Sequence, residues 1–274
     1  MTTNEIVKIA LELSDLEALP MDSSVEVEGE QITNILAGID MTTAELHLAK
    51  QLGYDCVVRH HNIVPILGHL GDLVAKSHFD KMKEHGIAVN IAEKLMHKRK
   101  REIAEMFHGS NLDAASATAR LLEMPFVGLH TPADLIGERI VSEAVSSVYE
   151  AIEDPTVQDL LDKIMTIREF KEAPDGQRPE IWVGSPESLA GKAIVEFAGG
   201  LAAELDEMKA YIDAGVGTFV CMHLKSDIAK ALREDNRCNV IVTGHMASDS
   251  IGMNVILDHL ETLGVKTTRI GGMV

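Results

Sequence analysis

The chain has 274 residues, 46 % of them hydrophobic and 25 % charged, with a formal net charge of −18. That length accommodates one large α/β domain or two small lobes, and the mixture is globular rather than disordered. The acidity excludes non-specific binding to nucleic acid or to an anionic membrane surface, both of which rely on basic surface.

Thr2-x-x-Glu5 is a capping box that opens a helix with Ile6, Ile9, Ala10 and Leu13 on one face. Pro20 and Asp22-Ser23-Ser24 break the pattern, and Val25-Glu26-Val27 alternates briefly. Ile32 to Ile39 reads as a strand. Thr42-x-x-Glu45 is a second capping box, and its helix stops at Gly53. Asp55 to His61 is the next strand. Strand, helix and strand in close succession make a βαβ unit with parallel strands and a right-handed crossover.

The middle is mostly helical: Leu73 to His85, Ala92 to Phe107 and Asn111 to Leu122. Phe126 to Leu129 is a short strand that delivers His130-Thr131-Pro132-Ala133-Asp134, with Thr131 as the N-cap and Pro132 at the first helical position. Helices continue from 135 to about 166, interrupted at Asp154-Pro155, and Pro174-Asp175-Gly176 marks a linker. Glu180 to Val183 and Ala193 to Phe197 read as strands, followed by a tight turn at Gly199-Gly200 and a helix from Ala202 to Ala214. Thr218 to Met222, the helix Ser226 to Arg233 and Asn239 to Thr243 form a second βαβ unit. A helix then runs to Leu263, and Val265 to Ile270 is a final strand.

Three cysteines without C-x-x-C spacing argue against a disulfide framework, and Cys56 and Cys221 read as small buried hydrophobes. The first residues lack the features of a signal peptide, and no apolar run approaches a membrane span. The expected location is the cytoplasm.

Histidine placement points to chemistry. His60-His61 and Gly244-His245 each follow a strand that leaves a βαβ unit, where open α/β sheets present ligands. The matching plan suggests an internal duplication. Glycine before His245 permits a close backbone approach. His245 and Asp249 lie four apart, so a helix that begins early turns both towards one ion. Histidine and carboxylate donors from separate loops suit a pair of divalent cations sharing a carboxylate. Without thiolates the donor set allows zinc, iron, manganese or cobalt. The plainer alternatives are hydrogen-bonded histidines and, for Asp134, a carboxylate favoured by the helix dipole.

The chain resembles the Nif-three (Ngg-one-interacting-factor-three) family of dinuclear metal-centre proteins, some of which are described as GTP cyclohydrolase type two. The resemblance rests on the Ile39-Asp40 turn into a helix, the Asp55-to-His61 strand, His130-Thr131-x-x-Asp134 and Gly244-His245-x-x-x-Asp249, and it spans nearly the whole chain. It implies an α/β fold of two related lobes with mixed, largely parallel sheets flanked by helices, and a metal site in the cleft between them. The expected organisation is one domain over 1–274, with half-repeats near 1–135 and 180–274, a helical connector over 136–179 and no large inserted domain.

The resemblance makes His60, His61, Asp134, His245 and Asp249 the ligands of two divalent ions, zinc, iron or manganese foremost, with His130 a close neighbour of the site. Toroidal hexamers built of dimers are typical of such proteins, so a homo-oligomer is expected. Three departures stand out: Asp249 where glutamate is common, Asn62 where proline often follows the histidine pair, and His223 where relatives often carry glycine and an acidic residue. His223 reads either as an extra ligand or proton carrier, or as a hydrogen-bonded rim histidine.

Two functions follow. The first is a metal-dependent hydrolase or cyclohydrolase acting on a nucleotide-like or phosphorylated small molecule. In it His130 or His223 shuttles protons, and Arg59 or the basic run Lys98 to Arg101 holds a phosphate. The second is a non-catalytic metal carrier or regulatory metal-binding protein.

Overall fold

The computed structural model describes residues 1–199 and 202–274. In chain order its elements begin with α1 (Thr3–Ser14), β1 (Ser24–Val27), β2 (Asn34–Gly38), α2 (Thr43–Leu52) and β3 (Cys56–Arg59). A short 3-10 turn (Pro65–His69) leads to α3 (Leu70–Glu84), α4 (Val89–His108), α5 (Ala114–Leu122), β4 (Phe126–Gly128) and α6 (His130–Ala151). There follow α7 (Val157–Ile164), α8 (Arg168–Glu172), β5 (Glu180–Val183), β6 (Lys192–Glu196), α9 (Leu205–Asp213) and β7 (Val216–Cys221). The last four are α10 (Ser226–Asp235), β8 (Asn239–Val242), α11 (His245–Thr262) and β9 (Lys266–Ile270). Both expected capping boxes form, at Thr2 with Glu5 and at Thr42 with Glu45. Gly200 lies outside the described residues, and the expected Gly199-Gly200 turn with it.

The chain forms two compact units. The first comprises Met1–Gly71, Glu102–Ile136 and Asp249–Met273. Its sheet runs β1-β4-β3-β2-β9, with β1 antiparallel to β4 and the other neighbours parallel. All four residues of β3 are buried, as expected of a central strand in a parallel sheet covered on both faces. Leu36, Leu46, Ala49, Val57, Ala119 and Phe126 pack α2 and α5 onto one face. The final strand β9 lies beside β2, and the Gly271 carbonyl just beyond it accepts the N–H groups of Ile39 and Asp40 at 2.9 and 3.0 Å.

The second unit comprises Asp72–Arg101 and Gly137–Ser248, with Val274. Its sheet runs β5-β8-β7-β6, with β5 antiparallel and the rest parallel. Phe219, Val240, Ile228 and Leu232 lie in its core with Met82, Met96, Met208 and Tyr211. The three cysteines are buried and unbridged. Burial pushes the thiols up, Cys238 to about 11 and Cys221 to about 12.

The two sheets share one strand order, with β9 an addition to the first. In that plan β3 corresponds to β7 and β4 to β8, because Arg59 pairs with Gly128 as Cys221 pairs with Val242. The likeness visible in the sequence, Cys56–His61 with Val240–His245, is therefore one strand out. His60-His61 correspond to Met222-His223. His130-x-x-x-Asp134 corresponds, within one residue, to His245-x-x-x-Asp249. Among the described residues no helix is long and apolar enough to cross a membrane.

Candidate metal centre

Backbone hydrogen bonds carry β3 one step past its end: His60 N–H donates to the Gly38 carbonyl and His61 N–H to that of Ile39, both at 3.0 Å. The chain then turns, so two adjacent histidines serve one place. Arg59 holds this turn from below. Its guanidinium is buried, donates to Asn62 Oδ1 at 3.0 Å and to the Ile63 carbonyl at 3.1 Å, and lies 4.2 Å from the Phe126 ring centre. Burial lowers its pKa to about 10 against the opposing charge of Glu26. Asn62 in turn donates to Ser24 Oγ and occupies the space that Gly128 leaves open, where a Cβ would stand 2.1 Å from Asn62 Oδ1. Asn62 is therefore a buttress, which explains an amide in place of proline.

His130 is the first residue of α6 and Asp134 lies one turn on. The helix begins one residue before the expected N-cap, and Thr131 instead donates its hydroxyl to Asp22 at 2.6 Å. His245 is the first residue of α11 and Asp249 lies one turn on, so the early helix start that their convergence requires is present. Gly244 has φ +89°, and a Cβ there would lie 2.2 Å from the Gln177 carbonyl oxygen. Glycine is needed for that close approach.

His60 Nε2 lies 3.3 Å from Asp134 Oδ1 and 3.5 Å from Asp249 Oδ1, with all three side chains buried. His61 Nε2 lies 3.2 Å from Asp249 Oδ2, while its Nδ1 is 2.8 Å from the exposed Asp40. His130 stacks on His60 with ring centres 4.6 Å apart. Within the first unit two groups present donor atoms within 4.8 Å of one another: His60 with Asp134 and Asp249, and His60 with His61 and His130. His60 is common to both. Within the first unit the structure brings His60, His61, Asp134 and Asp249 together with His130, while His245 opens the helix that carries Asp249. His223 lies against His245, ring centres 4.6 Å apart.

Two partners escaped the sequence reading. Asp22 Oδ2 is 3.0 Å from His130 Nδ1, and the neighbouring Ser23 Oγ accepts the His130 backbone N–H. Asp40 was legible only as a turn. Of the residues expected to hold a phosphate, Arg59 and Lys98 to Lys100 are engaged within the protein. Arg59 is buried and committed to the turn. Arg99 is buried on Glu204 and the Ala202 carbonyl, Lys98 pairs with Asp206 at 2.7 Å, and Lys100 pairs with Asp72.

Burial alone would lower the His60 pKa, but Asp249 and Asp134 outweigh it and hold the value well above 6.5. His61 is raised as well, with burial and the His60 charge opposed by Asp249 and Asp40. Burial would raise Asp22, yet His130, Thr131 and Ser23 bring it below its ordinary 3.8.

The donor set fits a divalent cation. Asp134 Oδ1 is buried without a well-formed hydrogen bond although His60 Nε2 stands 3.3 Å away, and an unsatisfied buried polar atom costs about 1–3 kcal/mol. A cation would satisfy that carboxylate oxygen and take the place of a proton on His60 Nε2, the nitrogen that faces Asp134 and Asp249. Since a ligating imidazole must be neutral, metal binding is expected to release protons and to strengthen as pH rises through the raised pKa values of His60 and His61. Calorimetry in two buffers of different ionisation enthalpy measures that release, and an identical apparent enthalpy in both would contradict it. In the metal-free chain the sign is reversed. There the raised values stabilise the fold below pH ~6.5, and the contribution fades as pH climbs through them.

No protein-family model and no curated protein matches the chain. Among solved structures, a NIF3 superfamily protein from Sphaerobacter thermophilus is 35 % identical, with TM-score 0.94, over 100 % of this chain and 99 % of the other. Reduced HcgD from Methanocaldococcus jannaschii is 13 % identical at TM-score 0.58, over 98 % of this chain and 97 % of its own. TTHA1606 from Thermus thermophilus is 16 % identical at TM-score 0.52, with the same coverage, 98 % and 97 %. At these lower identities the likeness is one of fold.

Proposed function

The chain belongs to the NIF3 superfamily, and from that premise we propose that it is a dinuclear metal protein catalysing hydrolysis or cyclohydrolysis of a nucleotide-like or phosphorylated small molecule. The observation that carries the reading is that the two oxygens of Asp249 face different histidines, Oδ1 towards His60 and Oδ2 towards His61. His60, Asp134 and Asp249 would hold one ion, and His61 with the other oxygen of Asp249 would begin the second set, to which the family resemblance adds His245. Zinc, iron or manganese suits these nitrogen and oxygen donors. Two such ions, when bound, supply a water ionised near neutral pH and polarise the scissile oxygen.

The chain's own residues do the rest. Asp249 would hold both ions through its two oxygens, and Asp40 orients His61 through its other nitrogen. His130, held at Nδ1 by Asp22, has its second ring nitrogen for taking up or returning a proton at the leaving atom. His223, against His245, is the other proton carrier.

A second reading, a metal carrier, draws support from one observation. His61 is partly open to solvent and its partner Asp40 is exposed, so one end of the donor set admits exchange. We also propose a cytoplasmic homo-oligomer, dimer or hexamer, on the support of exposed Leu52, Leu121 and Leu189. Sedimentation tests the assembly.

Elemental analysis of purified protein is expected to give two divalent metals per chain. A turnover screen of that protein on nucleotides and phosphoesters, with Asp134→Ala as control, separates the two readings. Activity lost in the control supports the hydrolase. Activity persisting in Asp134→Ala, or none on any substrate with metal fully bound, favours the carrier.

A further inference from the structure

The segment Asp22-Ser23-Ser24 precedes and opens the edge strand β1 and looks like a mere break in the sequence pattern. Its three side chains nevertheless touch both strand ends that bear donors. Asp22 Oδ2 faces His130 Nδ1 at 3.0 Å and accepts the Thr131 hydroxyl at 2.6 Å, while Ser23 Oγ donates to Asp22 Oδ1 at 3.3 Å. Ser23 Oγ also accepts the His130 backbone N–H at 3.0 Å. Ser24 Oγ accepts from Asn62, the residue after the histidine pair. Asp22 and Ser23 are buried.

We propose that Asp22 is a positioning residue for the metal centre, fixing His130 as the Nδ1–H tautomer so that Nε2 is the ring nitrogen presented to His60 and His61. A carboxylate only accepts hydrogen bonds. The hydroxyls of Thr131 and Ser23 already donate to it, so the third partner, His130 Nδ1, must donate as well. The ring stacks on His60 at 4.6 Å, with planes 17° apart, and that orientation needs a fixed anchor at the opposite nitrogen. Sequence distance hides the arrangement, since 108 residues separate the partners. The inference rests on the metal reading above, but the tautomer is measurable without metal.

The test uses the full chain labelled with 15N at histidine. Long-range 1H–15N spectra, with His130 assigned through a His130→Gln variant, are expected to show Nδ1–H for His130 in the unsubstituted protein. Asp22→Ala should convert it to a mixed or Nε2–H tautomer. Cobalt titrations of the same proteins should show about tenfold weaker binding in Asp22→Ala, because a loosened His130 no longer steadies the ring of His60 on which it stacks, together with a changed visible spectrum. Should Asp22→Ala fail to fold, Asp22→Asn serves, because it keeps the volume and removes the acceptor-only carboxylate. Thr131→Val, which loses a hydrogen bond to the same oxygen without touching His130, is expected to bind cobalt within about threefold of the unsubstituted chain. An Nε2–H tautomer in the unsubstituted protein overturns the inference. So does an Asp22 variant with unaltered tautomer and cobalt affinity. If the unsubstituted chain binds no cobalt, the metal reading fails, and the tautomer alone decides whether Asp22 holds His130.

Discussion

Asp249→Asn is expected to weaken divalent-metal binding more than about a hundredfold, beyond the 10–100-fold of an outer hydrogen-bonding partner. Asp249 lies 3.5 Å from His60 through one oxygen and 3.2 Å from His61 through the other. Among the described residues its carboxylate is thus the one that reaches both histidines of the pair. An amide keeps the shape, loses the charge and offers one acceptor instead of two. The effect is readable as stability. At a metal concentration of 100 Kd, binding stabilises the fold by ~2.7 kcal/mol. A hundredfold loss of affinity at the same concentration leaves ~0.4 kcal/mol. The metal-induced rise in Tm should therefore almost vanish. Asp249→Asn protein that still binds metal with unchanged affinity would refute the shared-carboxylate reading.

Gly252→Ala should be damaging for a backbone reason. Gly252 lies on α11 one turn beyond Asp249, and a Cβ there would stand 1.9 Å from the Ala133 carbonyl oxygen of α6. The clash is with main chain, so neither side can rotate away and the two helices must separate. Overpacking of this kind costs about 3 kcal/mol, a fall in Tm on the order of 10 °C. Ala133 neighbours Asp134, so the same separation pulls Asp134 away from Asp249. Reduced thermal stability together with weakened metal uptake is the expected pair of results. Gly252→Ala that melts and binds metal as the unsubstituted chain does would show that the helices have slack at this crossing.

What the sequence disclosed follows the range of the interactions. Thr2 with Glu5 and Thr42 with Glu45 were legible because a capping box closes within four residues. The β3 strand was legible from Cys56 to Arg59 because parallel central strands are apolar throughout. Arg59 sits in that run as a cation, and its role as a buried prop came from Phe126 and Asn62, neither predictable from its neighbours. Asp22 and Asp40 were passed over because a carboxylate in a turn has a sufficient local explanation. Their partners lie 108 and 21 residues away. The partners of the basic run were hidden for the same reason. Lys98, Arg99 and Lys100 look like an anion site until Asp206, Glu204 and Asp72 fold against them.

The placement of β9 has a consequence for how the protein is made. Strand β2 needs β9 on one side, and the turn bearing Asp40 hangs from the carbonyl of Gly271. A growing polypeptide therefore exposes one edge of β2 while some 230 further residues are added (from Gly38 to Ile270), roughly ten to fifty seconds at ribosomal speed. His60 and His61 emerge early but wait through that interval for Asp249 and for the strand that steadies Asp40. The complete donor set is thus assembled only after β9 has been made, and an unguarded sheet edge is the hazard that precedes it.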